Sequence, residues 1–393
     1  MSRTGRAVVG LAAALVSAGA LVAFAVWSGG DDAARRGGVQ ASLAVSATLG
    51  SGDLAGFARA TAPRPFSFPA DLGPHPEFRT EWWYYTGNLE TAAGRHFGFQ
   101  LTFFRTALAP PAPRVAERAS AWAASQLYLA HFAVTDTAGR RFHAWSRLGR
   151  EALGLAGARP APFRVWLEDW SAESAAPGGL PVRLRAAEGD VAIDLVLASE
   201  KPVALQGDRG LSRKGPEPGN ASYYYSRSRM SARGTVSAGG EPLPVTGLAW
   251  MDREWSTSAL GADLVGWDWL ALQLDDGRDV MVYRLRRRDG SADAYSAGAL
   301  IAADGATRPL AAADVTLAVL DRWASPRSRV RYPSRWRLAI PGAALSLEIT
   351  PRLADQELIV GTRYWEGAVR VEGTADGRPI GGRGYVELVG YGE

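Results

Sequence analysis

Residues His75–Arg105 read HPEFRTEWWYYTGNLETAAGRHFGFQLTFFR. Two runs inside this stretch, Trp82–Leu89 and Phe97–Phe104, are of strand length, rich in aromatic and β-branched side chains, and separated by Thr91-Ala92-Ala93-Gly94. That pattern predicts a β-hairpin. Alternation puts Trp83, Tyr85, Gly87 and Leu89 on one face of the first strand and Trp82, Tyr84, Thr86 and Asn88 on the other. Neither face is purely polar. The hairpin is therefore covered on both sides, or lines a cavity on one side while packing under neighbouring elements on the other.

Working outward, glycine-containing turn signals recur at short intervals: Ala138-Gly139, Glu188-Gly189-Asp190, Gly239-Gly240, Asp276-Gly277, Asp289-Gly290, Asp304-Gly305 and Asp376-Gly377. Glycine at a left-handed position joins antiparallel strands. Between the turns lie strand candidates at Gln126–Val134, Arg141–Arg147, Phe163–Trp170, Val182–Ala186, Ile193–Ala198, Tyr223–Met230, Trp267–Leu274, Val280–Arg286, Trp336–Ile340, Leu345–Ile349, Ala368–Gly373 and Gly384–Val389. Only Pro309–Leu320 reads equally well as a short helix or a strand. Many short strands with glycine turns mean an all-β sandwich or barrel, and barrels remove exposed edges. A chain of 393 residues exceeds what one core usually serves. Two β-rich halves are expected, dividing near Gly247–Ser258.

Ahead of them, Ala7–Trp27 is nearly continuous apolar sequence behind Arg3 and Arg6, the order of a secretory signal, with Ala23-Phe24-Ala25 as a cleavage site. The run is also long enough to serve as an uncleaved membrane anchor. Either reading of residues 1–28 places the globular part outside the cytoplasm, in a periplasmic or other extracytoplasmic space. Residues 29–62, rich in Ala, Gly and Ser, read as a flexible tether.

Composition excludes several function classes. The formal charge is +4, nearly all bases are Arg, and they alternate with acids; Arg286-Arg287-Arg288 is followed at once by Asp289, so no nucleic-acid patch emerges. Cysteine is absent, which removes disulfides, thiolate metal sites and a cysteine nucleophile. No serine-hydrolase elbow, phosphate loop or dinucleotide fingerprint occurs. The histidines, His75, His96, His131 and His143, lack ligand spacing, and no metal or cofactor is expected.

Three carboxylates stand out. Asp252 and Glu254 sit two apart in Gly247–Trp255, so on a strand they share a face, and close carboxylates push one pKa up as an acid/base pair requires. Arg253 offers the competing, purely structural partner. Asp268 lies between Trp267 and Trp269, but alternation sets it with Leu270, Leu272 and Leu274. Facing a cavity it becomes a proton donor by desolvation; at a barrel mouth it pairs with an arginine. His131 faces a pocket or sits satisfied in the core. The fourteen tryptophans either fill two β cores or line an apolar pocket suited to a flat or polyene-like lipid.

The run Glu81–Leu89 followed by Gly98–Arg105 resembles the secreted lipocalin-like family that includes AttH-like proteins and carotenoid 1,2-hydratases. The likeness continues through His131, Gln206-Gly207-Asp208, Ala221–Ser226, Met251–Trp255, Gly266–Trp269, Tyr364–Gly367 and Gly384–Tyr391, covering about residues 63–393. It implies two consecutive lipocalin-like (calycin) antiparallel β-barrel domains, over 63–249 and 250–393. It also implies a secreted hydrolase, or a component accompanying an ABC export permease. In the hydratase branch a histidine follows the aspartate matching Asp252, and a tyrosine-x-aspartate lies on a later strand. Here Arg253 and Val280-Met281-Val282 stand at those places, so the resemblance does not extend to carotenoid hydration. The expected protein binds a lipophilic small molecule through Trp82, Trp83, Tyr85, Gln100, His131, Tyr224, Trp255, Trp267 and Trp269. Asp252, Glu254 and Asp268 are the acid/base candidates. The rivals are a hydratase or hydrolase of such molecules, and a transporter-docking subunit without a ligand.

Overall fold

A computed structural model describes residues 54–111, 124–257, 260–261 and 263–392. The expected export segment over 1–28, and the tether up to residue 53, lie outside the described residues. From residue 54 the chain does not behave as a tether: Ala60 is wholly buried against Phe78, Leu211, Tyr223 and Trp255.

The described chain is almost entirely antiparallel strand. The first sheet contains β1 (Thr80–Glu90), β2 (His96–Ala107), β3 (Gln126–Asp136), β4 (Arg141–Arg150), β5 (Ala156–Pro160), β6 (Phe163–Leu167), β7 (Trp170–Ser174), β8 (Val182–Glu188), β9 (Val191–Ser199), β10 (Ala204–Leu205), β11 (Leu211–Arg213), β12 (Ala221–Ala238) and β13 (Leu243–Ser256). Its order is β4-β3-β2-β1-β13-β12-β9-β8-β7-β6-β5, with β10 and β11 also on β12. The second contains β14 (Leu264–Leu274), β15 (Asp279–Arg287), β16 (Ala297–Ile301), β17 (Thr307–Ala311), β18 (Thr316–Ala324), β19 (Arg331–Ile340), β20 (Leu345–Pro351), β21 (Glu357–Ile359), β22 (Arg363–Ala375) and β23 (Arg378–Val389). Its order is β17-β16-β15-β14-β23-β22-β20-β19-β18, with β21 on β22.

The two barrel-like sheets match the expected class. The division expected at 249/250 cuts through β13, however, which is the central partner of both β1 and β12. The crossover between sheets falls after Ser256, because the hydrogen-bonded ladder with Thr80 and Ser222 runs on to that residue. Pro309–Leu320 resolves into the end of β17, a single 3-10 turn and the start of β18.

Each sheet curls around a buried apolar interior. In the first, Trp83, Tyr85, Leu89, Phe97, Phe99, Leu101, Phe103 and Phe132 are fully buried together with Leu184, Leu195 and Leu197. Leu270, Leu272, Leu274, Trp336, Leu338, Ile349 and Leu388 fill the second. The aromatic face of the opening hairpin that carries Trp83 and Tyr85 is thus core. The opposite face, carrying Trp82 and Tyr84, meets the second sheet, where Tyr84, Trp250, Trp269, Met281, Tyr283 and Tyr385 form an inter-sheet layer.

Close approach at this layer requires small residues. A Cβ at Gly98 would lie 2.6 Å from the Ala368 Cβ across the interface. Gly98→Val is therefore expected to cost about 1–3 kcal/mol by overpacking and to push the sheets apart. Chemical denaturation with and without the substitution measures this; an unchanged midpoint would mean the interface is looser than described.

One charged cluster ties the hairpin to β13 on the core side. Glu81, Arg105 and Arg253 are all essentially inaccessible. Glu81 accepts from Arg105 through one oxygen and from Arg253 through the other, and both oxygens also take the His75 backbone N–H at 3.1 Å. Arg253 further lies 4.0 Å from the Trp83 ring centre. Burial alone would raise the Glu81 pKa, but the two guanidinium groups overcome it and hold the carboxyl well below the usual carboxylate range.

Candidate active site

Strand register alone builds the first wall of a cleft between the sheets. Trp82 stands opposite both Phe104 and Glu254, Tyr84 opposite Asp252, Tyr224 opposite Glu254, and Ser226 opposite Asp252. Directly opposed residues share a face. Trp82, Tyr84, Phe104, Tyr224, Asp252 and Glu254 therefore project together toward the second sheet. There the same rule groups Trp267 with Leu285, and Trp269 with Tyr283 and Glu387. The space between them encloses about 980 Å³, its open mouth included, with Lys214 and Leu260 completing the lining. Its make-up, aromatic walls with a few polar groups, is that of small-molecule sites.

Asp252 is held on all sides. Its Oδ1 accepts from Ser226 Oγ at 2.6 Å and from Trp250 Nε1 at 2.7 Å, and its Oδ2 accepts from the Tyr224 hydroxyl. Trp269 Nε1 in turn donates to the Tyr224 oxygen at 3.1 Å. Burial pushes the Asp252 carboxyl up to about 7 against these three donors, and the Glu254 charge adds to the rise. Glu387 accepts one side-chain hydrogen bond, from Trp267 Nε1 at 2.8 Å. Burial lifts it too to about 7, with Asp252 and Glu254 contributing. Glu254 is paired instead: Lys214 Nζ lies 3.3 Å from it and 4.0 Å from the Tyr283 ring centre. Burial would discharge the ammonium, yet Glu254 and Tyr283 raise its pKa on balance.

The predicted residues divide between three places. Asp252, Glu254, Tyr224, Trp82, Trp267 and Trp269 meet in the cleft. Gln100 and His131 lie behind it in a buried layer, where Gln100 Nε2 donates to the Tyr364 hydroxyl at 3.1 Å and His131 Nδ1 sits 2.7 Å from the same oxygen. Burial drives the imidazole pKa down to about 3, so His131 is neutral. Trp83, Tyr85, Trp255 and Asp268 face elsewhere, and their expected site roles are corrected accordingly. Trp83 and Tyr85 alternate into the first interior, and Trp255 packs against His75 with ring centres 3.7 Å apart. Asp268 is buried on the opposite face of β14, paired with Arg286 at 3.0 Å and hydrogen-bonded by Tyr391 at 2.8 Å. The arginine-paired reading of Asp268 holds because the leucines it alternates with fill the second interior. Arg253 likewise points away from the cleft.

Sequence reasoning missed Glu387, Lys214 and Tyr84 as site residues. The signal for Glu387 was available: a lone acid on an otherwise apolar run, Tyr385-Val386-Glu387-Leu388-Val389. Among the described residues no three His, Asp or Glu side chains converge as a metal site.

Two barrel-like antiparallel β sheets with an acidic, aromatic cleft between them define an all-β, lipocalin-like class of fold. The sequence model of the AttH-like family matches residues 59–391, and the chain belongs to that family. A solved structure assigned as an AttH from Nitrosomonas europaea is 38% identical, covers 85% of this chain and 100% of its own, and superposes with a TM-score of 0.75. Kievitone hydratase of Fusarium solani subsp. phaseoli is 24% identical over 215 residues, which is 53% of this chain and 59% of that protein. The match thus spans little more than half the length of that curated relative. The crystal structure of kievitone hydratase from Nectria haematococca shares the fold, with a TM-score of 0.65 at 15% identity over 86% of this chain and 97% of its own.

Proposed function

We propose that the protein is a hydratase that adds water across a carbon–carbon double bond of a lipophilic molecule bound in the inter-sheet cleft. The supporting observation is a pair of carboxyls, Asp252 and Glu387, both brought to about pH 7 by burial on an aromatic wall. The similarity to kievitone hydratase points the same way. Hydration of an isolated double bond needs a proton donor beside an apolar cavity whose rings steady the cation.

The roles follow from the hydrogen bonds. Glu387, with one donor, serves as the acid: its proton goes to one alkene carbon, the π electrons form that C–H bond, and positive charge develops on the other carbon between the rings. Water attacks that carbon, forming the C–O bond. Its spare proton passes to the Tyr224 oxygen as the Tyr224 proton moves to Asp252. One H and one OH have been added; Asp252 ends protonated and Glu387 ionised, and solvent at the cleft mouth exchanges the proton between them. An exported location and supply of substrate from a membrane permease belong to this reading; co-purification with a permease tests them.

The active form requires Asp252 ionised and Glu387 protonated, so kcat/KM is expected to be bell-shaped around pH 7. The acid limb reflects protonation of the pair and the alkaline limb its full ionisation, with apparent values belonging to both groups together. Glu387→Gln should remove the alkaline limb along with most of the rate. Kievitone is the first substrate to assay, by mass spectrometry of the hydrated product. A pH profile flat from 5 to 9 would count against carboxyl catalysis.

A further inference from the structure

The inter-sheet space carries more negative than positive groups. Asp252, Glu254 and Glu387 line the cleft, and Glu366, fully buried on β22, stands directly opposite Glu387 in the ladder with β23. Against these four carboxyls stands the Lys214 ammonium, already engaged by Glu254. Among the described residues none of Asp252, Glu366 or Glu387 has a cationic partner within ion-pair distance. Glu366 accepts from the hydroxyl of cleft-lining Tyr84 through Oε1, while its Oε2 is buried without a hydrogen-bond partner. Without a cation beside them, burial holds Glu366 well above the usual carboxylate range and lifts Asp252 and Glu387 as well, so an incoming cation would supply the partner that lets them ionise.

The walls around these groups are aromatic. Trp82, Tyr84, Phe104, Tyr224, Trp267, Trp269 and Tyr283 all line the same space. Lys214 demonstrates what that wall accepts, since its ammonium lies 4.0 Å from the Tyr283 ring centre and 5.3 Å from that of Tyr224. A cation near an aromatic face is attracted by the ring quadrupole, more strongly when desolvated, and a carboxylate at the same place adds to it.

We infer that the cleft is cation-selective: it takes lipophilic ammonium ions, protonated or quaternary, in preference to neutral or anionic molecules of the same shape. The apolar body lies along Trp82, Trp267 and Leu260, and the ammonium occupies the space beside Asp252 and Glu387. This rests on the cleft being the ligand site proposed above and adds the charge of what it prefers. Such an ion sits where positive carbon would develop during hydration, so it competes with the alkene.

The pH dependence has a definite sign. The groups facing the ammonium are Asp252, Glu254 and Glu387 with Glu366 behind them, and Lys214 opposes. A bound cation favours the ionised carboxyls, so binding near neutrality releases protons, and at lower pH the ion must displace protons already in place. Affinity is expected to fall about tenfold or more between pH 8 and pH 5.5.

Titration calorimetry with decyltrimethylammonium, decanol and decanoate tests the inference, run in buffers of different ionisation heat. The expected result is binding of the ammonium ion about tenfold or more tighter than decanol at pH 8, and proton release on binding at pH 7. Glu387→Gln should shrink that preference, and the proton release from the unaltered protein gives the same answer without a variant. Equal affinity for decanol and the ammonium ion, or tighter binding of decanoate, overturns cation selectivity and leaves the lipophilic cleft standing. Failure of all three to bind overturns both.

Discussion

Asp252→Asn is expected to lower turnover by about 10²- to 10⁴-fold while leaving the affinity for a neutral alkene nearly unchanged. The amide keeps the shape of the carboxyl, and its oxygen still accepts from Ser226 and Trp250, the two donors now on Oδ1. On the other side the Tyr224 hydroxyl would meet an NH2 and turn to accept from it. That reversal is the chemical loss, because Tyr224 then has no acceptor for the proton it relays. Folding should survive at a cost of about 1–3 kcal/mol for the Tyr224 hydroxyl proton left without its acceptor. Single-turnover kinetics beside equilibrium binding checks this. A variant with full turnover would remove Asp252 from the chemistry, whereas a parallel loss of binding would mean that Asp252 shapes the cleft and does not react.

The largest expected effect on stability lies on the opposite face of the same strands. Glu81→Gln leaves Arg105 and Arg253, both inaccessible, with no carboxylate between them, and breaking a buried ion group from one side costs about 3–5 kcal/mol. The melting temperature should fall by roughly 5–10 °C. Because the folded pKa of Glu81 is depressed below its unfolded value, its contribution is present above the unfolded pKa of 4.5 and is lost as pH falls below it. The destabilisation by Glu81→Gln should therefore shrink under acid conditions. Thermal unfolding of both proteins across pH 3–8 measures the difference; a constant gap would show that shape, not charge, holds the cluster.

Much of the architecture was legible because antiparallel sheets write themselves with a period of two. Alternation separated Trp82 and Tyr84 from Trp83 and Tyr85, and it grouped Asp268 with three leucines. It could not say which face is interior and which is cleft, since β1 and β14 are apolar on both sides. That ambiguity is why Trp83, Tyr85 and Asp268 entered the candidate site. Asp252 and Glu254 were recognisable as a same-face pair, but their neighbours Glu387 and Lys214 come from strands and loops far along the chain. Only the register of β14 on β23, and the docking of the two sheets, brings these groups together. The division expected at 249/250 failed for a related reason. The division was set by the roughly equal β-rich halves on either side of Gly247–Ser258, whereas hydrogen bonding, which that balance does not record, carries β13 on to Ser256.

A hydratase transforms what its cleft binds. Incubating the protein with lipophilic alkenes that bind it, in water enriched in oxygen-18, tests this most directly. A hydrated product carrying the label is expected with the unaltered protein, and none with the Asp252→Asn variant that still binds. Tight binding of the same alkenes by both proteins, with no labelled product from either, would contradict it and leave a carrier in place of an enzyme.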